Sequence, residues 1–206
     1  VASVEAYTEE RMYPPTRNLT SASHTISGAD YGNGVYVVNE STYLDSFTGS
    51  RRGFTAFNTS VSLGYCGTNQ YSNGVYTQNN YLISDYKGDW ITIKMPQKIK
   101  LSKYGFKVRP GSSKYQDTAP GKYKIYGSND GIDWVVLVYK TTIISYPDEI
   151  QNANDYFEEN VTTINECYNH FALVVNVLKG SRDFLNFDEW YIYGKESLVQ
   201  PQPILV

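Results

Sequence analysis

A chain of 206 residues is long enough for one full-sized core and short for two, so a single domain with appendages is expected. Twenty tyrosines against two methionines suit strands better than helices. With 18 basic and 21 acidic residues the formal charge is −3 and no basic block occurs, so the electrostatic footprint of a nucleic-acid binder is missing and no strongly anionic membrane partner is advertised.

Residues 1–20 read as an N-terminal arm, since Pro14-Pro15 forces an extended path. The chain opens without an initiator methionine or a signal segment, which points to processing or truncation. The domain proper is expected over residues 21–194. Up to Ser84 it is rich in Gly, Ser, Thr, Asn and Tyr, as short strands between long surface loops would be. Tyr31-Gly-Asn-Gly-Val-Tyr36 and Tyr71-Ser-Asn-Gly-Val-Tyr76 echo each other; both read as tight Asn-Gly hairpin turns, and two copies are too few for a repeat protein.

Beyond Ser84 the strands become clear. Ile91, Ile93 and Met95 face one way while Thr92 and Lys94 face the other; Tyr104, Phe106 and Val108 repeat the alternation. Tyr123 and Ile125 alternate with Lys122 and Lys124, giving an apolar and a wet face, and Gly131 supplies the positive φ that ends the following Ser-Asn-Asp-Gly turn. Residues 134–139 and 171–178 are continuously apolar, as in strands buried on both faces. Trp90, Trp134 and Trp190 are expected to share one interior. Residues 144–166 are acidic and Asn-rich and read as an exposed excursion, with a short helical turn at 149–157. Residues 195–206 contain two prolines and form an extended tail outside the core.

Three pieces, taken in order and spacing, carry a resemblance: Gly88-Asp-Trp-Ile-Thr-Ile-Lys-Met-Pro96, Gly121-Lys-Tyr-Lys-Ile-Tyr-Gly-Ser-Asn-Asp-Gly-Ile-Asp-Trp134 and Phe187-Asp-Glu-Trp-Tyr-Ile-Tyr-Gly194. Over about residues 31–194 they resemble the discoidin family, also called the coagulation factor 5/8 type C domain. The resemblance implies an all-β fold, an antiparallel jelly-roll β-sandwich of the galactose-binding-domain type, which binds sugars, lipid head groups or proteins without catalysis. The chain departs from the family where Ala56-Phe57-Asn58 replaces Ala-Phe-Asp-Gly, where Tyr65-Cys66 replaces an aromatic pair with Trp, and where Thr118 stands in place of an arginine two before the central-strand proline. The last departure weakens a galactose-type site. Sugar-binding relatives often hold a structural calcium between the Ala-Phe-Asp-Gly turn and a glutamate of the last strand, which here implies Asn58, Thr59 or Ser60, and Glu189. Calcium takes six to eight oxygens, which carbonyls with Asn and Glu side chains could supply. The alternative is that Asn58 is a turn residue or carries a glycan.

A binding site belongs on the loops at one end of such a sandwich. Sugar recognition needs planar hydrogen-bonding forks and an aromatic ring against a pyranose face. Three loops supply such groups: residues 39–54 with Tyr43, Arg51 and Arg52, residues 109–122 with Arg109, Lys114 and Tyr115, and residues 179–187 with Arg182 and Asp183. Ordinary solvated loops have the same composition. Sequons at Asn18, Asn39, Asn58 and Asn160 are candidate glycosylation sites, although two or three arise by chance in such a sequence. Cys66 and Cys167 could form one disulfide in an oxidising compartment or remain two buried thiols.

Catalytic readings fare worse. His24 and His170 are far apart in sequence, no metalloprotease, paired-cysteine or nucleophile-elbow motif occurs, and the neighbours Asp188 and Glu189 point to opposite faces of a strand. Asp130 to Asp133 lacks the length of a helix-loop-helix calcium loop. No apolar run reaches the roughly 18 to 20 residues needed to span a bilayer as a helix. The expectation is a non-catalytic extracellular or surface-displayed module that recognises glycans or glycoproteins through its loop end and mediates adhesion. The alternative is a structural subunit of a surface assembly, such as a virion capsid decoration, fibre or filament, docked on identical or neighbouring subunits through residues 1–20 and 195–206.

Overall fold

The computed structural model describes residues 6–46, 49–59, 64–108, 113–147 and 156–198. Nine strands carry the fold there: β1 (Arg11–Tyr13), β2 (Ser23–Ile26), β3 (Gly34–Glu40), β4 (Asp89–Lys107), β5 (Pro120–Ser128), β6 (Val135–Lys140), β7 (Phe157–Asn160), β8 (Tyr168–Leu178) and β9 (Glu189–Glu196). All their pairings are antiparallel. The long β4 serves both layers. Its first half pairs with β3 and β8, giving one layer in the order β2-β3-β4-β8-β5-β6; its second half pairs with β9 and β7, giving the other in the order β1-β9-β4-β7. Pro96 lies at the crossing, where a residue without an N–H interrupts the ladder least.

The expected alternation closes these layers on each other. Ile91, Ile93 and Met95 are buried on the inner face of the first layer, with Phe171, Leu173, Val175, Tyr123 and Ile125 beside them. Tyr104, Phe106, Trp190, Ile192 and Tyr13 meet them from the second. The Phe106 and Tyr123 rings stand edge to face at 5.2 Å, and the hydroxyls of Tyr104 and Tyr123 are 2.9 Å apart. Each such buried side chain contributes roughly 1.5–3 kcal/mol relative to exposure. Strand β8 is buried on both faces over residues 171–175, as its apolar run predicts.

Several expectations give way. Residues 11–13 are not an arm: β1 pairs with Ile192 to Gly194, and Tyr13 is in the core with its hydroxyl donating to Glu196 Oε1 at 2.5 Å. The chain beyond Gly194 likewise stays engaged, since Tyr7 bridges Ser197 and Leu198 N donates to Ala6 O. Two short termini, individually unremarkable in sequence, satisfy each other's backbone groups. The excursion returns as β7, antiparallel to β4, and Ile144 and Tyr146 are buried on the way; residues 149–155 of the expected helical turn lie outside the described residues. Strand β6 is an edge strand, with Val135, Val136 and Tyr139 exposed, because a bulge opposite Ile125 and Tyr126 breaks its alternation and buries Leu137 and Val138 in succession.

The two Asn-Gly echoes also differ. Asn73 and Gly74, both at positive φ, form the tight turn between Tyr71–Ser72 and Val75–Tyr76, and a side chain at Gly74 would strike Gly180 O. In the first echo Gly34 already belongs to β3, and Asn33 instead brackets the backbone of Ala29 from both sides.

The outer face of the first layer is not wet. Ala172, Val174 and Tyr126 are buried there under Leu82, Ile83, Tyr86, Trp90 and Trp134. Lys124 lies among the rings of Tyr86 and Tyr139, each 4.8 Å away, and its ammonium is 2.9 Å from Asp85 Oδ2. Its alkyl stem covers apolar surface while the charge is held by a carboxylate and ring faces, which is why alternation alone misreads it.

Candidate ligand-binding grooves

Cross-strand neighbours in an antiparallel sheet share a face. Lys94 is flanked by Val37 on one side and His170 on the other, Thr92 by Asn39 and Ala172, and Trp90 by Val174. These residues therefore line one strip of the outer face. Trp134 and Gly131 close the strip from the β5–β6 hairpin, Leu82 from the segment before β4, and together they enclose a groove of about 470 Å³.

The hairpin is fixed by its own polar groups. Asp130 Oδ1 accepts the backbone N–H groups of Ile132 and Asp133, each at 2.8 Å, which sets where Trp134 leaves the turn. Gly131 has φ +75°, so the expected positive φ is found, and its Cβ-less edge lies against the His170 ring. The Trp134 and His170 rings stand perpendicular at 6.5 Å. Burial and the Lys94 charge push the His170 imidazole below its ordinary range. Its Nδ1 is 2.8 Å from Asn169 Oδ1, and the ring also bonds the Ser128 backbone.

Two polar groups of the groove stand out. The Trp90 indole N–H is buried with no hydrogen-bond partner among the described residues. Lys94 is exposed and makes no ion pair among them. Glu40, by contrast, is already engaged, accepting from Arg52 Nε at 2.7 Å. The groove is thus lined by two indoles, an amide, a hydroxyl, an ammonium and an imidazole, and Glu40 is the one carboxylate among its described lining residues.

The loop end presents a second cleft, of about 460 Å³, lined by Leu44, Cys66, Gly67, Thr68, Asn69 and Phe184. Of the residues expected there, Arg52 packs over the Tyr43 ring at 4.5 Å and is neutralised by Glu40, and Arg51 is joined through its backbone to Leu44 and Cys66. Arg182 and Asp183 are exposed on the segment that carries Phe184, and their carbonyls accept N–H groups of Gly74, Gln70 and Tyr71. Tyr115 lies on the short 3-10 helix Ser113–Thr118, Lys114 is described there by its backbone alone, and Arg109 lies outside the described residues. Behind the cleft, Asp89 is buried; its Oδ1 accepts from Ser41 and Thr42, while Oδ2 has no partner among the described residues. Burial pushes its carboxyl up to about 6 against the pull of those two hydroxyls.

A family profile described as a domain of unknown function, DUF5000, matches residues 67–202. The chain belongs to the DUF5000 family. No curated protein matches it. Among solved structures, this DUF5000 chain is similar to the module CpGH89CBM32-5 of Clostridium perfringens in complex with GalNAc-β-1,3-galactose, at 13% identity and a TM-score of 0.53 over 76% of this chain and 94% of that one. The family 32 carbohydrate-binding module of C. perfringens NanJ, in complex with galactose, gives 10% identity and a TM-score of 0.53 over 89% and 98%. An F5/8 type C domain of a Bacteroides fragilis protein gives 12% and 0.53 over 78% and 92%. Identities this low speak to the fold alone, and the fold is the galactose-binding-like β-sandwich expected from the sequence.

Two expected sites of the DUF5000 chain need correction. Cys66 and Cys167 are not bonded to each other. Cys66 lines the loop-end cleft, where burial pushes its thiol up, and lies beside Gly67, whose Cβ position is 2.7 Å from Asp89 Oδ2. Asp89 pairs with Val175 near one end of β8, whereas Cys167 precedes Tyr168 at the other. Roughly 20 Å of strand separates them, far beyond the reach of a disulfide.

The calcium site fails for a different reason. Glu189 is buried and bonded to Arg17, whose Nη1 also donates to Trp190 O and whose Nη2 donates to Ala56 O, each at 3.1 Å. Asn58 pairs through its backbone with Asn18, and Ser60 lies outside the described residues. A guanidinium already holds the Glu189 carboxylate that calcium would need, so Glu189 as placed does not fit the ion. Of the sequons, Asn18 and Asn160 are exposed, Asn58 is half-buried, and Asn39 stands on the lip of the sheet-face groove.

Proposed function

We propose that the protein is a non-catalytic glycan-binding module whose ligand lies in the groove on the outer face of the first layer. One observation carries the reading: Trp90 and Trp134 line the same solvent-open groove. A pyranose presents an apolar face to an aromatic ring and hydroxyls at its rim, and Asn39, Thr92, Lys94 and His170 are placed to meet those hydroxyls. The solved relatives in complex with galactose and with GalNAc-β-1,3-galactose support the ligand class. The same reading has the protein displayed outside a cell or on its surface, with adhesion as its role.

The loop-end cleft is the second reading, favoured by Phe184 beside Thr68 and Asn69. Its arginine Arg52 is committed to Glu40 and Tyr43, so it brings fewer unengaged polar groups than the groove does. The assembly alternative rests on residues 1–20 and 195–206; the described parts of both are used within the sandwich itself.

A glycan array on the intact chain, followed by calorimetry of the best ligand, tests the proposal. Trp134→Ala is expected to weaken binding at least tenfold, about 1.4 kcal/mol, in a chain that still unfolds cooperatively. Binding that survives Trp134→Ala but fails in Phe184→Ala would move the site to the loop end. No binding to any glycan by a folded chain would remove the reading.

A further inference from the structure

Arg17 is 4% exposed, yet it carries a full charge in the interior. It is held by acceptors from two distant segments: Ala56 O of the 3-10 turn Gly53–Phe57, and Glu189 with Trp190 O at the start of β9. The guanidinium carbon lies 4.4 Å from the centre of the Tyr191 ring. Its backbone has φ +43°, a region that a residue with a long side chain occupies only when its surroundings compel it. The side-chain anchors supply that compulsion.

We infer that Arg17 is a built-in cation, joining the Gly53–Phe57 turn and the first residues of β9 to the N-terminal segment in place of a structural metal ion. The shared oxygens decide between the two. A calcium ion bonds its oxygens at 2.3–2.6 Å, and any ion reaching Glu189 and Ala56 O at that range would touch the guanidinium nitrogens, placing like charges together where little water screens them. A planar fork satisfies oxygens in different directions at once, which an ammonium at the same place would not. Because the cation is part of the chain, it cannot be removed by chelation. This junction is therefore metal-independent, and the segment up to Arg17 is integral to the domain although the family match begins at residue 67.

Thermal unfolding of the full chain tests this. With excess calcium and with excess chelator the unfolding temperatures are expected to coincide; a rise with calcium and a fall with chelator would overturn the inference. Arg17→Met, which keeps the stem and strands Glu189, is expected to lower the unfolding temperature by roughly 10 °C. An unchanged temperature would also overturn it. Should Arg17→Met fail to fold, the double variant Arg17→Met with Glu189→Gln decides: removing both charges is expected to restore folding, because a lone buried charge is costlier than none. A double variant no better than the single would show that the two charges are not coupled.

Discussion

Trp190 and Trp90 have much in common. Each stands on a strand of the β4–β9 framework, and each has an indole N–H without a partner among the described residues. Trp190, however, is fully enclosed between the layers and packs on Phe57 at 5.7 Å, whereas Trp90 lies on the outer face beside a groove open to solvent. An unpaired indole N–H is therefore no mark of a binding site by itself. What separates the two is access: a ligand can reach the outer ring, and nothing but neighbouring side chains can reach the inner one.

The comparison can be broken most forcefully from the inside. Trp190→Ala removes a core ring and is expected to cost about 3–5 kcal/mol, read as a lowered urea midpoint. A comparable loss in Trp90→Ala would erase the distinction between the faces. Asp89 sharpens it next, being a polar residue with the inward parity of Ile91 and Ile93. Its folded value of about 6 lies above the ordinary 3.8, so the folded state keeps a proton that the unfolded state releases. That contribution is fully present below about pH 4 and is lost as pH rises to about 6, on the order of 3 kcal/mol in all. Asp89→Asn should flatten this slope in urea denaturation across the range, and an unchanged slope would place the titration elsewhere. On the outer face Trp134→Ala is expected to lose at least tenfold in glycan affinity and less stability than Trp190→Ala does. Trp90→Phe, which keeps a ring and removes only the N–H, should lose a few-fold, of order 1 kcal/mol, in calorimetry.

How much of this was legible depended on which face a residue served. The parity of Ile91, Ile93 and Met95 places them inside, and the same parity puts Trp90 with Thr92 and Lys94 on the other face. Grouping all three tryptophans in one interior therefore overrode a signal that the sequence contained. Trp134 and His170 could not be placed that way, because their meeting depends on the register of β4, β8 and the β5–β6 hairpin, which one strand's pattern does not reveal. Arg17 was invisible for a similar reason. Nothing near Pro14-Pro15 says that a basic residue will find a glutamate in the last strand. Loop composition misled in the opposite direction: Arg52 reads as a sugar-binding fork, but Glu40, twelve residues earlier, takes it up locally.

The outer sheet face and the loop end make opposite demands on two side chains. Calorimetric titration of one array-identified glycan into the native chain, Trp134→Ala and Phe184→Ala separates them. A glycan held on the sheet face keeps native affinity in Phe184→Ala and loses at least tenfold in a folded Trp134→Ala; the reverse pattern would put it at the loop end.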